Sequence, residues 1–460
     1  MQNRFFIRDK KFYQVLAGLI AGIAFQNLIA YSVNMLDNIM LGSYSQVALS
    51  GAATVNQIFF IVQQIGMAIG NALVVLASQY WGQDNRKAVR NLTRVAGKIT
   101  ALASCAVFLI CACIPEQLIR IFTSSDELIA EGILYLNILK WSFVFFLFSN
   151  LMISMLRSIE VIKISVLISC VSLILNGGIN YLLIFGHCGF PELGIRGAAI
   201  GTLIARTAEI CIVFFYVAVA DKKIRFFSRI KEEKNHIWEK TLQKDYIKVF
   251  VPILATSLLW AVSVPMQTAI MGHLSDDAIA ANSVSSTFFQ YMKVIIVAIS
   301  SASSVIIGKE IGNGNTERVK AAGRTLSVID IGIGIFLAVL LILFKNPLLS
   351  MYKMSETAAI LADHLIVIMS LVMVGMSYQM PVHVGILQGA GDTRYCLWMN
   401  MISTWGIVMP LSFLAAFVWK LPVEMVVLAI QSDQFFKGIP VFMRFRSYNW
   451  IHKLTKENGT

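Results

Sequence analysis

Long apolar runs broken by short polar or Gly/Pro clusters dominate this chain, and they predict helices near 12–41, 48–80, 92–114, 128–156, 161–186, 195–220, 245–272, 277–307, 321–344, 356–387, 395–418 and 422–443. A bilayer crossing takes about 20 apolar residues, so the pattern describes an all-α integral membrane protein of twelve spans. The first run, Phe12 to Leu36, follows a basic start at Arg4, Arg8, Lys10 and Lys11. It is too long for a signal-peptide core, and no small-residue cleavage site closes it, so it is expected to stay as the first helix. The one long connection, within 221–248, carries KKIRFFSRIKEEKNHIWEKTLQK and falls at the middle of the chain. The expected division is therefore an N-lobe over 1–220, a basic cytoplasmic linker over 221–244, a C-lobe over 245–443 and a cytoplasmic tail over 444–460.

Composition agrees. Hydrophobic side chains make up 57% and charged ones 14% of the 460 residues, where soluble domains average about 45–50% and 25%, and that excludes a receptor with large soluble domains. The net charge of +12 could suggest a nucleic-acid partner, but its placement is topological: with the N-terminus inside, inner segments hold 29 Lys/Arg and outer ones 5. The positive-inside rule then puts both termini in the cytoplasm of a multi-pass cell-membrane protein. The basic linker is expected to lie against anionic lipid, with no nucleic acid bound. Seven scattered cysteines without a CxxC pair are expected to be packing residues, with neither a disulfide framework nor a structural metal.

Sliding the chain against itself by 230 residues places Gly42 on Gly272, Ala48 on Ala278, Phe59 on Phe289, Ala68 on Ala298, Gly82 on Gly312, Asn85 on Asn315 and Val89 on Val319. The register runs without gaps and pairs span with span, which marks a duplication. Six helices separate the copies, so both halves run the same way through the membrane and should enclose a central cleft. That is the plan of a transporter that rocks between faces. No GxxxxGK[ST] loop is present, so the chain is expected to be no enzyme, to need no cofactor, and to draw its energy from an ion gradient. Because the cleft is complete in one chain, a functional monomer is expected.

Several stretches carry a resemblance: Asp37-Asn38-Ile39-Met40-Leu41-Gly42, Gln79-Tyr80-Trp81-Gly82-Gln83, Gly194-Ile195-Arg196-Gly197-Ala198-Ala199-Ile200-Gly201-Thr202, Gln388-Gly389-Ala390-Gly391-Asp392-Thr393-Arg394 and the terminal Arg444-Phe445-Arg446-Ser447-Tyr448-Asn449-Trp450. In order and spacing, over nearly the whole chain, they resemble the multidrug and toxic compound extrusion family. The resemblance implies export of organic, often cationic, compounds in exchange for sodium ions or protons, through a V-shaped pair of six-helix lobes. It also implies an N-lobe ion site at Asp37, Asn176, Asn180 and Thr202, with Asn180 standing where the family's pattern has a second acid. A C-lobe site of family type would use a glutamate where Trp260 stands and an acid that 377–383 does not contain.

Residue chemistry adds detail. A carboxylate inside a span is costly unless protonated, paired or hydrated, so it is a functional candidate by default. Asp37 shares an unusually polar helix with Gln26, Asn27, Asn34 and Asn38, although the headgroup region near the outer end is its alternative place. Asn176 and Asn180, four apart, share a helix face and with Thr202 could serve a cation or merely bond helix to helix. Burial among neutral partners disfavours a charged Asp37 and favours proton exchange, yet one carboxylate with three or four oxygens can also hold sodium. Arg206 and Glu209, three apart, are expected to pair. Lys293, whose repeat mate is Gln63, could snorkel or meet an acid such as Asp330. Gln379 and His383 flank Pro381, a candidate hinge, and His383 could titrate or sit buried and hydrogen-bonded. Gly22 and Pro252 coincide in the repeat, and both are expected to bend their helices. Met and Phe are numerous (20 and 29) and suit an adaptable cleft as well as a plain lipid face.

Three functions stay open from the residues: an ion-coupled exporter, a flippase of lipid-linked saccharides with the same two-lobed plan, and a non-transporting membrane sensor.

Overall fold

The structure, a computed structural model, describes residues 5–221, 223–224, 226, 236–352 and 354–456. Eleven helices among them are long and apolar enough to cross a membrane. They are α1 Lys10–Tyr44, α2 Gln46–Gly82, α3 Arg86–Cys113, α4 Asp126–Ser158, α5 Lys163–Phe185, α6 Ile195–Ala220, α7 His236–Gly272, α8 Asp276–Gly312, α9 Thr316–Leu349, α10 Glu356–Leu387 and α11 Thr393–Val418. The expected twelfth span is broken into α12 Val423–Ile430, α13 Asp433–Phe436 and α14 Gly438–Ser447. Gly438 and Pro440 account for part of this, since neither residue type propagates a helix well. The expected linker is shorter than drawn, because α7 already begins at His236; its residues 222, 225 and 227–235 lie outside the described ones.

Helix starts are set by caps, and the caps repeat. Ser45 accepts from the Ala48 amide and Ser275 from the Ala278 amide; Asn85 accepts from Ala88 and Asn315 from Arg318. An N-cap oxygen satisfies one of the four amides that a helix start leaves without partners. Asn85 is why α3 begins at Arg86, six residues before the first apolar residue of the predicted span. The 230-residue register extends to the fourth helix of each half, where Ser125 and Ser355 occupy the N-cap positions of α4 and α10. Duplicated bundles thus share their helix starts as well as their apolar runs.

The chain divides into two compact units: Phe25–Phe250 together with Lys456, and Val251–Thr455 together with the chain up to Ala24. These divisions fall inside α1 and α7, two residues after Gly22 and one before Pro252, whereas the sequence suggests a division in the linker. Both α1 and α7 are continuous helices through those residues.

In the first unit α4 is central and packs against α2, α3 and α6; in the second α10 packs against α8 and α9. Lipid is as apolar as leucine, so close contact and interhelical hydrogen bonds hold such bundles together. Glycines spaced four apart supply the contact. On α2 a Cβ at Gly66 would touch Leu147 and Phe146, one at Gly70 would fall on Ser154, and Asn150 donates to the Gly66 carbonyl at 2.8 Å. Gly385 on α10 and Gly389 in the turn just after it leave no room for a side chain beside Ser300, Ser303 and Ser304 of α8.

The Gln388–Arg394 and Arg444–Trp450 motifs belong together. Gly391 turns the chain at φ +97°, and Asp392 then accepts from Arg444 Nε at 2.7 Å with His452 Nε2 at 3.7 Å. Trp450 is fully buried, stacks on Phe445 with ring centroids 5.8 Å apart, and covers Gly323.

Candidate ion and substrate site

In the first unit α1, α5 and α6 bring four polar side chains into one line. Asn180 Nδ2 donates to Asp37 Oδ1 at 2.6 Å and lies 3.4 Å from Asn176 Oδ1, and Asn176 Nδ2 donates to Thr202 Oγ1 at 3.3 Å. Asn176 and Asn180 are buried, Asp37 and Thr202 half-buried. Backbone packing makes this possible. Gly197 and Gly201 form a small-xxx-small pair on α6: a Cβ at Gly197 would strike the Leu183 backbone, and one at Gly201 would fall on the Asn180 side chain. Asn180 Oδ1 is buried and accepts no hydrogen bond. As an amide oxygen beside a carboxylate, it can accept from a proton donor or coordinate a cation.

A cavity of about 30 Å³ adjoins the line, lined by Asn34, Asp37, Asn56, Tyr135, Thr202 and Arg206 among others. It suits a water or a bare ion, and a drug-sized molecule would not fit. Arg206 is spoken for: its Nη1 donates to both Glu209 oxygens at 2.9 and 2.8 Å, and its guanidinium carbon lies 5.2 Å from the Phe146 ring centroid and 6.0 Å from that of Phe59. Arg206 thus walls the site with its guanidinium bonded to Glu209, and its charge also reaches Asp37.

The other residues singled out in the sequence lie elsewhere. Gln63 is half-buried on α2 and does not line this cavity. Lys293, Trp260, Gln379 and His383 belong to the second unit. Lys293 Nζ lies 5.7 Å from the Trp260 ring centroid, and the acid whose charge acts on it is Asp433 of α13, with no such action from Asp330. The break in α12–α14 carries Asp433 to it, a geometry no spacing announces. Lys437 is buried, faces the same Asp433 and bonds Asn400 Oδ1. Gln379 is buried, and Pro381 opens a π-helical stretch, Pro381–Leu387. His383, within it, is fully buried with neither ring nitrogen hydrogen-bonded among the described residues.

Sequence reasoning missed Tyr135, Asn56 and the Gly197/Gly201 pair. The pair was legible as a spacing within the Gly194–Thr202 motif; the other two are ordinary polar residues that only the fold brings to the cavity.

The model of the MatE family matches residues 22–182 and again 252–414. The chain belongs to the MatE family. The two matches begin 230 residues apart, the offset of the internal repeat. Curated relatives agree over nearly full length: an uncharacterized transporter, YisQ, of Bacillus subtilis is 24% identical, covering 91% of this chain and 90% of its own. A probable multidrug resistance protein, NorM, of Thermotoga maritima is also 24% identical, covering 94% and 92%. Among solved structures, a mutant of the Vibrio cholerae MATE transporter VcmN superposes with a TM-score of 0.86 at 18% identity, over 96% of this chain and 98% of that one. The MatE fold of this chain is thus a multi-pass membrane transporter fold.

Proposed function

We propose that this MatE transporter exports organic, often cationic, compounds by antiport with H⁺ or Na⁺, and that Asp37 is the coupling carboxylate. The observation that carries the proposal is the 2.6 Å bond from Asn180 Nδ2 to Asp37, continued to Thr202 and placed beside the orphaned Asn180 Oδ1. Ionised, Asp37 is an acceptor and takes the Asn180 amide hydrogen. Protonated, it becomes a donor, and Asn180 Oδ1 is the acceptor at hand once the amide turns. Loading a proton therefore reverses the hydrogen bond that ties α1 to α5. A sodium ion would instead gather oxygens from Asp37, Asn176, Asn180 and Thr202. Either ion changes how α1 is held, and α1 bearing the ion site is what access alternating between membrane faces requires. The relatives' names, multidrug resistance protein among them, support organic compounds as cargo. A flippase of lipid-linked saccharides would want free positive charge in its cleft; Lys293 feels the charge of Asp433 and so offers less of it to an anionic lipid. The 29 inner against 5 outer basic residues support cytoplasmic termini in a cell membrane, and the internal duplication supports action as a monomer.

The test is ethidium accumulation in an efflux-deficient bacterial host expressing wild type or Asp37→Asn at equal membrane level. It is repeated with the proton gradient collapsed and with sodium replaced by choline. Lower accumulation in wild type alone, abolished by one of the two ionic changes, supports the exporter and names its ion. Equal accumulation in wild-type and mutant cells under all conditions would sink it for this cargo.

A further inference from the structure

Asp330, on α9 of the second unit, is fully buried, and neither carboxylate oxygen has a hydrogen-bond partner among the described residues. At its repeat-related position, Thr100 on α3, the first unit has a hydroxyl that donates to the Ala96 carbonyl at 2.9 Å. The second unit has thus placed a carboxylic group where the first has a satisfied, neutral one. Gly334, four residues on and so on the same helix face, lies so close to Ser377 that a Cβ would overlap that side chain. Successive spans run antiparallel, so Asp330 falls level with the start of Pro381–Leu387, and α9 does pack on that π-helical stretch. Single π-helical turns recur at functional sites because they free backbone groups and re-aim side chains.

An ionised carboxylate without donors is among the costliest groups to bury, whereas the neutral acid is far less so. A metal cation would need several ligands around it, and among the described residues Asp330 belongs to no group of three or more acids, histidines or cysteines. The charged and titratable neighbours are few. On α10, Tyr378 is near enough to sense a charge at Asp330, its own hydroxyl is buried and unpartnered, and His383 follows within the π-helical stretch. On α8, Lys293 is directed at Asp433 and Trp260. No charged group of α8 or α10 acts on Asp330 itself.

We propose that Asp330 is a second proton carrier, held as the neutral acid in the state seen here and deprotonated when the α9–α10 contact opens. Its O–H bond then breaks, the proton leaves to water admitted at the π-helical stretch, and a proton is taken back from water before the contact closes. The role in transport rests on the exporter reading of the chain; the protonation state of Asp330 does not.

Infrared difference spectra of the purified full-length protein, in H₂O and in D₂O, test the state directly. The wild type should show a protonated carboxylic-acid band at neutral pH that disappears at high pH and that Asp330→Asn removes, with Asp37→Asn leaving it in place. In the ethidium assay Asp330→Asn, at wild-type membrane level and thermal stability, should lose ion-driven export, and Asp330→Glu should restore part of it. A spectrum unchanged by Asp330→Asn, a band that does not respond to pH, or wild-type export by the Asn variant would each overturn the proposal. A wild type that exports nothing would instead count against the exporter reading, while the spectrum would still decide the state of Asp330.

Discussion

The two units began as copies and still share helix starts, yet their polar interiors differ in kind. The first holds a connected line, Asp37–Asn180–Asn176–Thr202, in which each member bonds the next. In the second, the repeat mate of Asp37 is Gln267, and several polar groups are instead buried singly or in a small charged set: among the described residues the Asp330 carboxylate and the His383 ring have no hydrogen-bond partner, and Lys293 and Lys437 both act on Asp433. Duplication fixes where helices begin, because a cap is a local device of three or four residues. It does not fix interior chemistry, which depends on contacts between distant helices and diverges residue by residue.

The comparison can be broken most severely at Asp37. Asp37→Asn should abolish ion-driven ethidium export, whereas Gln267→Ala at the matching position should leave it at wild-type level; loss in both would mean that the units still share one coupling role.

Next in size is Arg206→Met. It would leave Glu209 buried without its partner, and breaking fully buried pairs costs about 3–5 kcal/mol. Arg206 keeps 22% of its side chain exposed, so thermal unfolding in detergent should show a smaller loss than that. Restoration of stability by the double change Arg206→Met/Glu209→Leu would confirm that the pair is structural.

Gly201→Ala should push against Asn180 and cost about 1–3 kcal/mol as an overpacked contact. It should reduce export beyond what the stability loss explains. Gly332→Ala, with open space around a new Cβ on α9, serves as the control and should leave export unchanged.

An effect on stability alone belongs to the second unit's tail. Burial works against ionisation of Asp392, but the nearby His452 and the hydrogen bond and charge of Arg444 outweigh it and hold its carboxyl below the ordinary range. A depressed carboxyl contributes stability that is complete above its unfolded value of about 3.9 and lost as pH falls through the folded one. Asp392→Asn should therefore be less stable than wild type at neutral pH, by about 1–3 kcal/mol for a charged hydrogen bond, and equal to it in strong acid. Melting curves across pH would check this, and a difference that persisted in acid would assign the effect to packing.

Much of this molecule was legible beforehand, and for specific reasons. Apolar runs and their spacing gave the spans. The register of Gly42 with Gly272 gave the duplication, and the Arg206–Glu209 pair followed from helical spacing alone. Asp37 stood out because a carboxylate within a span demands an explanation. That it would meet Asn180, 143 residues away, was not in any spacing; it came from resemblance, and the line exists because Gly201 leaves Asn180 its room. Lys293 could snorkel or meet an acid such as Asp330 on the sequence alone; the acid that acts on it is Asp433, which the break between α12 and α13 positions through tertiary packing. His383 reads in the sequence as a group that could titrate or sit buried and hydrogen-bonded, and the packed structure buries it with neither ring nitrogen hydrogen-bonded among the described residues.

The second unit is assembled from both ends of the chain: residues before Ala24 join those after Val251, the Ile7 amide donates to Thr325 Oγ1 at 3.1 Å, and Trp450 seals Gly323. Synthesis runs from N- to C-terminus, and units complete when their last element emerges. The Phe25–Phe250 unit has almost all its residues at mid-translation, whereas the first residues made must wait beside it until nearly the last ones leave the ribosome. A message truncated shortly before the Trp450 codon would therefore yield a chain whose Asp37–Thr202 line is built but whose second unit is left unclosed, a natural target for membrane quality control.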